Sequence, residues 1–226
     1  MKILKPSAEI LQPHPTKEAV DEIYRNIEIA GRNCYQSENK ITSDSAKKFV
    51  AALVKSGHEA MIEHAFMTVK FSVDRGISHE LVRHRIASFA QSSTRYCNYS
   101  KDKFDNEIKV IEPYIIHSYN HQPEWIDVFV DNWLSCMKEC EQHYMAMVNN
   151  GVPAEWARSV LPNSLQTNLI ITANMREWRN IFKLRAAGCY GRPHPQMQEV
   201  MIPLLNQCKE LMPELFGDIE APEFVR

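Results

Sequence analysis

Between Pro123 and Asn150 the chain places Trp125, Phe129, Trp133, Met137, Cys140, Tyr144 and Met147 at steps of three or four residues. That period belongs to an α-helix with one apolar stripe. Pro123 suits the first helical position, and Gly151 and Pro153 break the helix. A helix of this length runs roughly 40 Å at 1.5 Å per residue, so its stripe must be covered either by the chain's own core or by a second subunit. Around it, the residues from Ala65 to Val73 alternate as a strand does. Further strands are expected at Ile108 to Ile111, at Ser164 to Thr172, and in one short piece between Met1 and about Leu11. Thr16 reads as the cap of a helix through Ile23, Ile27 and Ala30, Ser43 as the cap of a second ending at Gly57, and one more helix closes the chain near Phe216 and Gly217. No Gly/Ser/Pro-rich linker divides the 226 residues, which makes residues 1–226 a single α+β domain.

The chemistry concentrates in Arg83-His84-Arg85-Ile86-Ala87-Ser88-Phe89-Ala90-Gln91-Ser92-Ser93-Thr94-Arg95-Tyr96. Arginine offers a planar fork that matches phosphate, and hydroxyls add neutral donors around the same oxygens. The residues from Asp74 to Ala87 have a helical pattern with Ile77, Leu81 and Val82 on one side. On such a helix Arg83 and Arg85 point roughly 160° apart, Arg83 sharing a face with His79 and Glu80, so two different anions could be served from one turn. A solvated basic helix end is the plainer reading, and the Ser-Ser-Thr-Arg-Tyr continuation is what argues against it.

Elsewhere the residues have modest explanations. His58, Glu59, Glu63 and His64 suggest a zinc site, but Ile62 stands where H-E-x-x-H needs its second histidine, so no metal is assigned. Asn174 followed by Glu177 forms a capping box. Arg158, just before Leu161-Pro162, can bridge two helix ends. Arg185 continues the stripe Asn174, Trp178, Ile181 of a helix running from Asn174 to Ala187; an arginine at the end of a buried stripe needs a partner. The six cysteines have neither disulfide-framework nor zinc-finger spacing and are expected as reduced thiols. A net charge of -2 argues against a general nucleic-acid binder, which needs a basic face. No apolar run approaches the ~20 residues of a membrane span and the start lacks a signal peptide, giving an expectation of a cytoplasmic protein. Seven glycines include no G-x-G-x-x-G, so a Rossmann site is not expected.

Taken together, Ala30 to Tyr35, Gly57-His58-Glu59 with Glu63-His64, Arg83-His84-Arg85 with Ser93 and Arg95-Tyr96, Ala157 to Pro162, and Asn174 to Arg185 resemble, in order, the blocks of the flavin-dependent thymidylate synthases, the ThyX family. The resemblance implies an α+β fold with a mostly antiparallel sheet and one long central helix, assembled as a homotetramer. It implies synthesis of dTMP from dUMP, with 5,10-methylenetetrahydrofolate as carbon donor, FAD as hydride carrier and NADPH as reductant. By the same resemblance dUMP is bound by Glu80, Leu81, Val82, Arg83, Gln91, Ser92, Ser93, Thr94, Arg95, Arg158 and Arg185, with Arg158 reaching another subunit's site. FAD is bound by His58, Ala60, Glu63, Arg83, His84, Arg85, Gln91, Asn174, Arg176 and Asn180. Ala60 stands where some relatives have a hydroxyl residue, which leaves only its backbone for a contact. Arg185 takes the family's catalytic role of activating the uracil ring, since a guanidinium beside the ring stabilises its ionised form. Ser93 is read as a phosphate ligand rather than a nucleophile. His194 and Gln196 lie in a loop that the resemblance does not align and are at most flavin neighbours.

Two other classes explain less. A nucleotide or single-stranded nucleic-acid binding module accounts for Arg83, Arg85 and Arg95 but not for His58 or the run from Asn174 to Arg185. A helical interaction protein accounts for the long stripe but not for the clustered arginines.

Overall fold

Alternation in the sequence becomes a two-faced sheet. Strand β3 (Phe66–Asp74) buries Met67, Val69, Phe71 and Val73 completely, while Phe66, Thr68, Lys70 and Ser72 point to the opposite, open side, as the two-residue period of a strand requires. In this computed structural model, which describes residues 1–117 and 123–222, β3 is flanked on one side by β2 (Ser7–Gln12) and on the other by β6 (Gln166–Asn174), with β4 (Ala87–Gln91) on the outer side of β6. All three pairings are antiparallel, matching the expected sheet. On its open face Thr68 and Thr172 join their hydroxyls at 2.9 Å.

The buried face is covered by helices. α1 (Lys17–Asn33) contributes Val20, Tyr24 and Ile27, and α2 (Ser45–Lys55) contributes Val50. α6 (Met175–Phe182) and α7 (Pro195–Leu211) supply Trp178, Ile181, Phe182, Met201 and Leu205. Thr16 caps α1 as expected, its hydroxyl accepting from the amide of Ala19. α2 starts one residue later than expected, with Asp44 and not Ser43 at its cap, and Gly57 follows it with φ of +73°. The single final helix is two: Pro213 opens a short α8 (Pro213–Phe216) after α7 ends at Leu211, because proline cannot donate into the turn before it.

Two other expectations change. The residues before Leu11 form two strands in different sheets. β1 (Lys2–Leu4) pairs in parallel with β5 (Lys109–Ile111), and the break falls at Pro6, which has no N–H for a ladder. The helix expected from Asp74 to Ala87 is only α3 (Arg75–Leu81), capped by Asp74, whose carboxylate accepts from the amide of Ile77 at 2.8 Å. A turn at Val82 and Arg83 ends it, and Ala87 to Gln91 are drawn into β4 by pairing with β6. Tertiary strand pairing overrides the helical pattern there.

The long helix is present as α4 (Ile126–Asn149), with Pro123 three residues before it. Met137 and Tyr144 are buried, and Trp133 and Met147 are half-buried, against a second, smaller cluster around Ile108, Val110 and Leu165. The helix therefore covers the β1–β5 pair rather than the main sheet. Trp125, at the other end of the stripe, is exposed. No helix among the described residues is long and apolar enough to cross a membrane, and all six cysteines are free thiols.

Candidate active site

One end of the main sheet gathers the chemistry. There Phe66 pairs with Asn174 and Ala87 with Ala173, so the start of β3, the end of β6 and the start of β4 meet. α6 leaves from Asn174, whose side chain accepts from the amide of Glu177 at 2.8 Å. The reciprocal half of the expected capping box is not made. The carboxylate of Glu177 turns instead to His84, with Oε1 3.0 Å from Nδ1, and both side chains are buried. Burial pushes the His84 imidazole below its ordinary pKa; Glu177 opposes that shift and the positive charge of Arg185 adds to it.

Arg185 lies beyond the end of α6. The expected continuous helix to Ala187 does not persist: Lys183 to Ala187 form one wider π turn, closed by Gly188 with φ of +73°. The extra residue in that turn makes Ala186 the buried position and carries Arg185 off the Trp178–Ile181 stripe to the edge of the core. Its guanidinium is held from three directions. Nε donates to His84 Nε2 at 3.2 Å, Nη1 to the Glu80 carboxylate at 2.7 Å, and Nη2 to the Glu80 carbonyl at 3.1 Å. One N–H on each terminal nitrogen remains for a ligand, so the group is fixed in place yet still able to donate.

Beside this lies a cleft of about 480 Å³ lined by Glu59, Glu63, Ile86, Asn174, Arg176, Glu177, Asn180, Lys183 and Tyr190. It brings together three of the expected cofactor residues on α6 and at its cap, Asn174, Arg176 and Asn180, with Glu63, which accepts from Arg176 at 2.6 Å. His58 and Ala60 are exposed, at the cap of and within the two-turn 3-10 helix Glu59–His64, whose Glu59 and Glu63 line the cleft. Arg83 and Arg85 are exposed and enter no ion pair among the described residues. They do not sit on opposite faces of a helix: Arg83 is in the turn after α3 and Arg85 in the segment leading to β4.

The other expected ligands are at the far end of β4. Five residues at ~3.4 Å each separate the ends of that strand by roughly 14 Å, and beyond it come Ser92, Ser93, Thr94 and Arg95. Thr94 is buried. Ser93 Oγ accepts from the amide of Arg95 at 3.3 Å, and Arg95 pairs with Glu155 of α5 (Ala154–Ala157) at 3.0 Å, which puts exposed Arg158 on the same side. Gln91 directs its amide inward to Ser78 at 2.9 Å and Thr167 at 3.2 Å. Leu81 is fully buried and Val82 half-buried, leaving their backbone groups as the polar part of that turn. His194 and Gln196 belong to another cleft of about 260 Å³, shared with Asp74 and Glu80. Gln196 donates to the Asp74 carboxylate, and His194 accepts from the amide of Gln196.

Three site features escape the sequence reading. Glu59 faces a row of cations on α6 and the π turn: Arg179 at 3.0 Å, Arg176 at 3.8 Å and Lys183 at 3.8 Å. The signal was there in the three- and four-residue spacing of those cations. The turn of Glu177 toward His84 and the position of Tyr190 on the cleft had no local signature. Arg179, itself buried, also donates to the Leu215 carbonyl and to both oxygens of Asp218 at 2.7 Å. Its guanidinium holds the Asp218 carboxyl below the usual carboxylate range. A depressed acid stabilises the fold above its unfolded pKa, near 4, and that contribution fades as pH falls toward the folded value. Asp218→Asn is therefore expected to lose stability at neutral pH yet show a shallower acid decline than the parent, as read by urea midpoints between pH 7 and pH 3.

Residues 18–214 match the family model described as thymidylate synthase complementing protein. The chain is 32% identical over 216 residues to a flavin-dependent thymidylate synthase of Geobacter sulfurreducens, covering 92% of this chain and 84% of that one. It is 30% identical over 209 residues to the one from Corynebacterium efficiens, covering 86% and 79%. A solved structure, a UMP/dUMP methylase PolB from Streptomyces cacaoi bound with 5-Br dUMP, superposes with a TM-score of 0.76 at 20% identity over 96% of each chain; at that identity the likeness concerns the fold.

Proposed function

Since the chain belongs to the flavin-dependent thymidylate synthase family, we propose that it makes dTMP from dUMP with 5,10-methylenetetrahydrofolate as carbon donor, FAD as cofactor and NADPH as reductant. The observation that carries this reading is the fixed guanidinium of Arg185 beside a polar cleft. The donor set of that cleft suits a flavin nucleotide: Arg176, Lys183 and Asn180 offer N–H groups to phosphate and ring oxygens, and Ile86 and Tyr190 offer apolar surface. His58, Ala60, Glu63, Arg83, His84, Arg85, Gln91 and Asn174 complete the residues that would hold it. When bound, the flavin supplies the hydride.

The chain's own residues orient and polarise. Arg185 uses its two remaining N–H groups to stabilise charge on the uracil ring, and Glu80 prevents the guanidinium from swinging away. Leu81 and Val82 present backbone groups beside it. Ser92, Ser93, Thr94, Arg95 and Arg158 bind the nucleotide phosphate. By resemblance to the family, the site is assembled from several chains in a homotetramer of single-domain (1–226) subunits, with Arg158 reaching a neighbouring chain's site. Such an enzyme acts in the cytoplasm on soluble substrates, without a nucleic-acid or membrane partner.

The visible spectrum of the purified protein tests the reading. Flavin bands are expected to bleach with NADPH, and thymidylate is expected once dUMP and methylenetetrahydrofolate are present. A protein that stays colourless when FAD is added, and binds single-stranded nucleic acid with a steep salt dependence, favours the binding-module reading instead.

A further inference from the structure

The hydrogen bonds around His84 determine which of its nitrogens carries the proton. A guanidinium has no acceptor and keeps its protons in proteins, so the 3.2 Å contact from Arg185 Nε to His84 Nε2 requires a lone pair on Nε2. The proton of the neutral ring must then sit on Nδ1, where the Glu177 carboxylate accepts it at 3.0 Å. His84 and Glu177 are buried, so water does not compete for either nitrogen. Glu177 is held in turn by Asn180, whose amide approaches both of its oxygens at 3.4 Å.

We propose that Glu177 is a positioning residue: its carboxylate fixes His84 as the Nδ1–H tautomer, and the bare Nε2 then orients the Arg185 guanidinium. The chain of contacts runs from α6 through the segment before β4 to the π turn, and Glu80 of α3 completes the hold on Arg185 from the other side. Without the carboxylate the ring is free to carry its proton on Nε2, where an N–H would confront the N–H of Arg185. Protonation has the same effect, because imidazolium has no acceptor. The charged and titratable groups facing the ring are Glu177 on α6, Arg185 on the π turn and, through Arg185, Glu80 on α3. The proposal concerns the orientation of Arg185; its consequence for catalysis rests on the role given to that residue above.

The test uses the full chain with its histidine rings labelled with nitrogen-15. Long-range proton–nitrogen spectra report the tautomer directly, and His84→Gln identifies the signal. In the parent, His84 is expected with a protonated Nδ1 and a bare Nε2 at neutral pH. Glu177→Ala keeps the backbone N–H that Asn174 caps, and is expected to give the Nε2–H form or a mixture. Glu177→Gln keeps the shape without the charge, and is expected to move the His84 titration to lower pH. In turnover, Glu177→Ala should lower kcat by on the order of tenfold to a hundredfold, by analogy with the loss when the carboxylate that orients a metal-ligating histidine is removed. KM for dUMP should change less, and Glu177→Gln should recover part of the loss. A parent His84 with its proton on Nε2, or a Glu177→Ala variant with unchanged tautomer and titration, overturns the proposal. Ring signals that shift as expected while turnover stays normal would mean that Glu80 alone holds Arg185, and overturn the orienting role given to Nε2.

Discussion

Arg185→Ala should retain its flavin and lose on the order of a hundredfold to a thousandfold in methyl transfer, the range measured when one preorganised donor to developing charge is removed. The guanidinium is preorganised before any substrate arrives: His84, the Glu80 carboxylate and the Glu80 carbonyl fix three of its N–H groups. Alanine removes the donor and leaves Glu80 without its 2.7 Å partner. Arg185→Lys keeps a positive charge but not the fork, so it cannot meet His84, Glu80 and a ring oxygen together, and an intermediate loss is expected. The flavin contacts are assigned to other residues, so the visible spectrum should stay that of the parent. Turnover of Arg185→Ala within a few-fold of the parent would remove ring activation from this residue.

The largest expected effect on stability lies one turn behind the site. Trp178 is fully buried, stacks on Phe71 at 6.4 Å, packs at a tilt against Phe182 at 5.8 Å, and donates its indole N–H to the Met67 carbonyl at 2.8 Å. Trp178→Ala should cost roughly 3–5 kcal/mol, the usual loss for an aromatic removed from a packed core. The Met67 carbonyl, left without its partner inside the sheet, belongs to that cost. Urea unfolding should show the midpoint falling with an unchanged slope. A loss below about 1 kcal/mol would mean that neighbouring side chains close the cavity, contrary to the close packing described.

The strand Phe66–Asp74 and the Thr16 cap were legible because both signals are local: alternation in one case, an oxygen three residues before an amide in the other. Asn174 was legible as a cap for the same reason. The family blocks pointed to Asn174, Arg176, Asn180 and Glu63, and the structure brings these four to one cleft. What failed was continuity. Asp74 to Ala87 has a helical pattern, yet β6 claims its last residue, and strand pairing between residues some eighty positions apart leaves no local trace. Asn174 to Ala187 likewise reads as one helix, whereas a single extra residue in the turn after Phe182 resets the face on which Arg185 lies. Glu177 looked like half of a capping box because its spacing is right, but His84, ninety-three residues earlier, takes its carboxylate. Even the arginine cluster, contiguous in sequence, is divided in space by the strand it contains.

That dividing strand works as a ruler. Its two ends carry two groups of expected ligands, and its pairing with β6 fixes the interval between them in steps of ~3.4 Å. Deleting one residue of β4 would shorten the interval and also turn every side chain beyond it to the opposite face. Removing two would preserve the faces and draw the ends together by roughly 7 Å. The segments on either side are tied down by side chains, His84 by Glu177 and Arg95 by Glu155, and the count from Ala87 to Gln91 sets the interval between those two anchorages.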